Sequence, residues 1–130
     1  MSALPEAVRE LLIRPNLAHV ATLMGDGMPH AVPTWVGVEG ERIVFLTGPR
    51  SQKARNLDGD PRLSLSVTDY EQSARMAHVR GRVVDRLDGD EAWAIIDRLA
   101  NEYTGTDYPR GLDRIVFVVD AEHAVAHDYS

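Results

Sequence analysis

The chain contains no cysteine. Disulfides, thiolate metal sites and a cysteine nucleophile are therefore excluded, and a reducing, cytoplasmic setting is expected. No apolar run approaches the ~20 residues that a membrane-crossing helix needs. The opening segment, MSALPEAVRELLIRP, is too charged for a secretory leader. The usual catalytic signatures are missing too: there is no G-x-S-x-G, no H-E-x-x-H and no P-loop. The five histidines (His19, His30, His78, His123 and His127) are scattered, and no metal site is expected. The acids lie in separate turns and form no obvious acid–base pair. A net charge of −6 argues against nucleic-acid binding.

What is present reads as one domain, residues 1–130, with a β-rich core. A hydrophobic share of 44% beside a charged share of 26% suits a globular chain of this length. Leu4 to Ile13 has helical apolar spacing, with Pro5 early, where it is tolerated. Leu17–Leu23 reads as a strand, Met24–Gly27 as a hairpin turn, and His30–Val38 as the partner strand. Pro33 cannot donate to a sheet ladder, so a bulge or an edge is expected there. Glu39–Glu41 then turns into Ile43–Thr47, and the first half reads as an antiparallel meander. Leu63, Leu65 and Val67 alternate with polar residues, and Met76–Leu87 forms the next strand. Gly81 within that strand implies a bulge or a close approach. Asp88–Tyr103 is the main helix, with Asp88 and Glu91 spaced as a capping box. Arg114–Val119 is a late strand and His123–Tyr129 a further one. Six or seven antiparallel strands with one main helix predict a mainly β, partly closed barrel of α+β character.

Residues 43–70 organise the rest. They read as strand, basic turn, short helix (Gln52–Leu57, N-capped by Ser51) and strand. Helix N-termini carry partial positive charge, so acids belong there. This one has Arg50, Lys53 and Arg55, with no acid before Asp58. Free N–H groups beside such cations make an anion site, suited to the phosphate of a ligand or cofactor. The alternative is a solvated turn whose cations pair with Asp58, Asp60 or another surface acid. Trp35 suits stacking on a flat ligand, or core and interface packing. His19 and His78 read as structural. Tyr108 and Arg110, in the loop TGTDYPRGL, are within the set that could meet a ligand. With an anion cradle and no protein nucleophile, a cofactor carries the chemistry.

The N-terminal helix, the hairpin LAHVATLMGDGMPHAVPTWV, the segment SQKARNLDGDPRLSLSV and the loop EYTGTDYP together resemble the flavin/deazaflavin oxidoreductase superfamily. These are the split β-barrel proteins similar to pyridoxamine 5′-phosphate oxidase, and the likeness is greatest to their F420-dependent actinobacterial branch. The resemblance implies an FMN-binding type of split barrel, a homodimer, and a cofactor held between two barrels. It implies that Lys53, Arg55, Arg50, Ser51 and Gln52 hold the cofactor phosphate. Pro33, Thr34, Trp35 and Val36 would lie along the ring, with Thr47 and Gly48 near its edge. Met76 and His78 of the other subunit would complete the pocket. The implied cofactor is F420, with FMN as the alternative. The implied reaction is hydride transfer from reduced F420 to a conjugated small-molecule acceptor, with Tyr108 or His78 as candidate proton donors. An FMN-dependent oxidase, or a non-catalytic flavin or haem binder, is the competing reading.

Overall fold

The computed structural model describes residues 3–130. Among them, seven strands form one antiparallel sheet: β1 (Ala18–Leu23), β2 (Pro29–Thr34), β3 (Gly37–Glu39), β4 (Arg42–Thr47), β5 (Arg62–Thr68), β6 (Arg75–Leu87) and β7 (Ile115–Asp128). Three helices join them: α1 (Glu6–Leu12), α2 (Gln52–Gly59) and α3 (Gly89–Thr104).

The strand order is β2-β1-β5-β6-β7-β4-β3, so β2 and β3 occupy opposite edges. Laid flat, with strands ~4.8 Å apart, those edges would be about 29 Å from each other. Only Trp35 and Val36 connect them, and the three Cα steps from Thr34 to Gly37 reach at most about 11 Å. The sheet must therefore roll until its edges nearly meet. This is the split barrel expected from the sequence.

The link corrects the expectation of one strand from His30 to Val38 in a continuous meander. β1–β2 and β3–β4 are hairpins, but β2 and β3 do not pair. Pro33 does lie on an edge strand, opposite His19. Beyond it, Val36 exchanges the ladder for a side-chain partner. The Tyr103 hydroxyl lies 3.1 Å from the Val36 amide nitrogen and 3.2 Å from the Val36 carbonyl. It also donates to the Asn16 carbonyl at 2.6 Å. One phenol from α3 thus ties the seam to the segment before β1.

Two further expectations need correction. The late strands are one element, β7, whose first half pairs with β4 and whose whole length runs beside β6. The polar residues around Asp120, which broke the apolar run, fall at the register shifts opposite Arg80–Gly81 and Val83–Asp85. A side chain at Gly81 would collide with the Asp120 carbonyl, which accounts for the glycine. The Asp88 side chain makes no capping bond at the start of α3.

The barrel interior is apolar, filled by Val20, Phe45, Leu65, Val67, Val79 and Phe117 among others. α1 adds Val8, Leu11 and Leu12 to it. α3 packs outside, laying Ala92, Ile95, Ile96 and Leu99 on Val44, Leu46 and Val116. β4 and β7 therefore carry apolar side chains on both faces. No helix among the described residues is long and apolar enough to cross a membrane.

Candidate functional site

The start of α2 is built around Ser51. Its Oγ accepts the Ala54 N–H at 3.1 Å and a hydrogen bond from Thr47 Oγ1 at 2.8 Å. The cap predicted from sequence is formed. It serves one N–H only; those of Gln52 and Lys53 have no acceptor among the described residues. The helix is anchored below. Gln52 donates to Asn56 Oδ1 at 2.7 Å, and Asn56 Nδ2 donates to the buried Thr22 hydroxyl at 2.9 Å. Arg55 folds back on the same turn, donating to the Arg50 carbonyl and to Gln52 Oε1.

The charges around this turn bear on both sequence readings of it. Asp58 is taken by Arg86 at 3.0 Å, and Asp60 by Arg62 at 2.7 Å. Arg62 and its own N–H hold the Asp60 carboxyl down at a pKa of about 2. Arg50, Lys53 and Arg55 enter no ion pair among the described residues. Lys53 is the chain's one lysine. It is half-buried, and that partial burial pulls its pKa down with no acid to offset it. Asp58 and Asp60, the acids named for the solvated-turn reading, are thus engaged by arginines outside this turn.

A hollow of about 430 Å³ opens beside this turn, at the seam of the barrel. The end of β2 and the link supply Pro33, Thr34 and Trp35, and the end of β4 supplies Leu46, Thr47 and Gly48. Leu17, Tyr108 and Arg114 complete it. A neighbouring hollow of about 570 Å³ shares Gly48 and Arg114 and adds Pro49, Arg50 and Ser51. So Pro33, Thr34, Trp35, Thr47, Gly48, Arg50 and Ser51 are brought to one continuous surface. Gln52, Lys53 and Arg55 follow on α2, and Val36 is buried beneath the seam. Met76 and His78 do not line this surface of their own chain; β6 carries them to another face. A separate hollow of about 610 Å³, around Arg80 and His123, contains none of the predicted residues.

Sequence reading missed Leu17, Leu46, Arg114 and Tyr103. Arg114 donates to the Tyr108 hydroxyl at 3.1 Å. Trp35 stacks on Tyr103 at 5.1 Å and meets Tyr108 edge-on at 6.0 Å. Arg110 points away from the hollow, onto Trp93 and Asp97. The histidines are less scattered than their spacing suggested. The His78 ring lies 5.7 Å from those of both His123 and His127. The sheet register that joins them has no local sequence signal. No group of three potential ligands among the described residues is arranged to hold a metal ion.

The state of Lys53 generates a prediction with opposite signs for stability and binding. The unfolded lysine keeps its proton to about pH 10.4, and the folded one releases it earlier. Between those values the unfolded chain binds more protons, so stability rises with pH through that window. At neutral pH the buried charge is a cost to the ligand-free fold. Lys53→Met is expected to raise the unfolding midpoint of the free protein. It should also weaken a phosphate-bearing ligand by roughly 1–3 kcal/mol, the loss of a charge-assisted hydrogen bond. Thermal melts with and without FMN or F420 check both. A lower midpoint, or an undiminished ligand-induced rise, contradicts the assignment.

Comparison with known proteins places this geometry. The family model described as pyridoxamine 5′-phosphate oxidase matches residues 4–128. A pyridoxine/pyridoxamine 5′-phosphate oxidase of Roseobacter denitrificans is 39% identical over 92 residues, which is 70% of this chain and 45% of that protein. The corresponding protein of Kineococcus radiotolerans is 36% identical over 76 residues, 58% of this chain and 34% of its own. The match thus spans less than half the length of these curated relatives. Among solved structures, an F420 reductase superposes with a TM-score of 0.80 at 30% identity, covering 94% of this chain and 98% of its own. A conserved hypothetical protein of Mycobacterium tuberculosis gives 0.79 at 24% identity, covering 97% and 86%, and shares the fold. With a family match across nearly its full length and a barrel rolled in the same way, the chain belongs to the pyridoxamine 5′-phosphate oxidase family.

Proposed function

We propose that this protein is an F420-dependent oxidoreductase acting on a conjugated small-molecule acceptor. The observation that carries the reading is the set of unpaired cations at the start of α2, next to two N–H groups without acceptors. Such a cradle suits a phosphate and charged groups beyond it. The similarity to an F420 reductase along almost the whole of both chains supports the deazaflavin over other ligands of the fold.

Under this reading, Lys53 and the Gln52 and Lys53 N–H groups bind the phosphate, with Arg50 and Arg55 adding positive charge. Pro33, Thr34 and Trp35 present a stiff, partly apolar seam for the ring, with Val36 buried behind them, and Thr47 and Gly48 border it. The chemistry the bound group supplies is hydride donation from its reduced ring to an electron-poor acceptor. The chain orients the partners and keeps water from the hollow with Trp35, Leu46 and Tyr108. Tyr108 accepts a hydrogen bond from Arg114, which leaves its own proton available to the hollow. That makes it the preferred proton donor within one chain, where His78 faces elsewhere.

The proposal includes a homodimer. The face carrying His19, Ala21, Ala31, Ser64, Ser66 and His78 is paved mostly with small side chains, which suits the approach of a second copy. Met76 and His78 then belong to the partner's site. Light scattering is expected to return the mass of two chains; a single-chain mass removes both residues from the site.

FMN is the second reading, favoured by the oxidase descriptions of the curated relatives. A binder without turnover is the third. Mixing the protein with reduced F420 and a panel of enones and quinones separates a catalyst from a binder. Acceptor-dependent loss of reduced F420 is expected. Tight binding with no turnover across the panel moves the reading to storage or sensing.

A further inference from the structure

The 105–114 loop, which brings Tyr108 and Arg114 to the hollow, is held to α3 by one carboxylate. Asp97 Oδ1 accepts the Tyr108 backbone N–H at 3.1 Å and Arg110 at 2.9 Å. Its Oδ2 accepts the second Arg110 terminal nitrogen at 2.7 Å. Arg110 also donates to the Tyr108 carbonyl at 2.8 Å, so both polar backbone groups of Tyr108 are engaged by the same pair. The Arg110 guanidinium lies 4.0 Å over the Trp93 ring, fixing the fork from its flat side. Asn101 adds a second tie, donating to Asp107 at 2.7 Å. Isolated surface ion pairs contribute little. This one is bidentate, stacked, and reinforced by two backbone bonds to the residue it positions.

The Tyr108 ring stands between the chain's two tryptophans, 6.0 Å from Trp35 and 6.0 Å from Trp93. Its hydroxyl meets Arg114, which has no acidic partner among the described residues. The loop therefore contributes an aromatic edge and a free cation to the same hollow.

We propose that Asp97 is a positioning residue: by clamping Arg110 and the Tyr108 backbone, it sets Tyr108 and Arg114 for a flat, conjugated acceptor bearing an anionic or carbonyl oxygen. This deepens the reductase reading and rests on it for its kinetic consequence only. The clamp acts first on Tyr108, which lines the seam hollow and not the neighbouring one beside Arg50 and Ser51. Asp97 touches no reacting group. Its effect travels through where Tyr108 and Arg114 stand.

Asp97→Ala, Asp97→Asn and Asp97→Glu test it, with two independent readouts. The first is acrylamide quenching of tryptophan fluorescence in the cofactor-free protein, since both tryptophans flank Tyr108. Quenching is expected to rise in Asp97→Ala and Asp97→Asn and to return towards wild type in Asp97→Glu. The second is kinetic. Acceptor kcat/KM is expected to fall roughly ten- to a hundredfold, as misplacement of positioning groups does, with F420 affinity unchanged. Asp97→Asn keeps the shape of the side chain, so it carries the test if the alanine variant fails to fold. Unchanged quenching with unchanged kcat/KM overturns the clamp. An equal loss of F420 affinity overturns it too, because that marks general loosening. If the wild-type protein binds no F420, the reductase reading falls, and quenching alone decides the clamp: a rise supports it and no change overturns it.

Discussion

Two residues, Trp35 and Val36, join strands on opposite edges of one seven-stranded sheet. That short link is the constraint from which the rest follows. It forces the sheet to roll, and rolling gives the interior that Val20, Phe45, Val79 and Phe117 fill. It also leaves a seam where backbone groups have no strand partner. An unpaired, buried N–H or carbonyl is costly. Tyr103 removes that cost for the Val36 N–H, which its hydroxyl accepts, and gives its one proton to the Asn16 carbonyl. The hollow lies at this seam, where the barrel is least regular.

The second theme is charge left unspent. The chain is acidic overall, and most of its arginines are matched with carboxylates at the surface. Around α2 the matching stops. Asp58 and Asp60 go to arginines outside the cluster, while Lys53 is partly desolvated without compensation. Folding alone gives no reason for that arrangement, and anion binding does. A site that lowers the stability of the free protein to gain affinity is a common trade. The loop after α3 shows the reverse pattern, with Asp97 and Arg110 fully committed to each other.

Much of this was legible in the sequence wherever the signal was local. Ser51 gave the helix start and its cap, and the basic turn beside it marked the cations proposed here to bind an anion. Alternation at Leu63, Leu65 and Val67 gave β5, and Pro33 gave an edge strand. The split between β2 and β3 was not legible, because Thr34 to Val38 has strand-like composition throughout. Only the global strand order shows that the chain changes edges there. Arg114, Leu17 and Tyr103 reach the seam from distant positions, and no spacing rule relates them. The Asp97–Arg110 clamp is similar: both residues read as ordinary surface charge until the fold brings them together. The gathering of His78 with His123 and His127 depends on a register set by a bulge, which sequence can suggest at Gly81 but cannot align.

The cations of α2, set at the seam, are proposed to hold the phosphate of a deazaflavin. The most direct test is a parallel fluorescence titration of the free protein with F420 and with FMN at the same ionic strength. Tight binding of F420 and clearly weaker binding of FMN are expected. A preference for FMN would keep the cradle and make the protein a flavin enzyme of the same fold. Binding of neither would contradict the claim and remove the oxidoreductase reading with it.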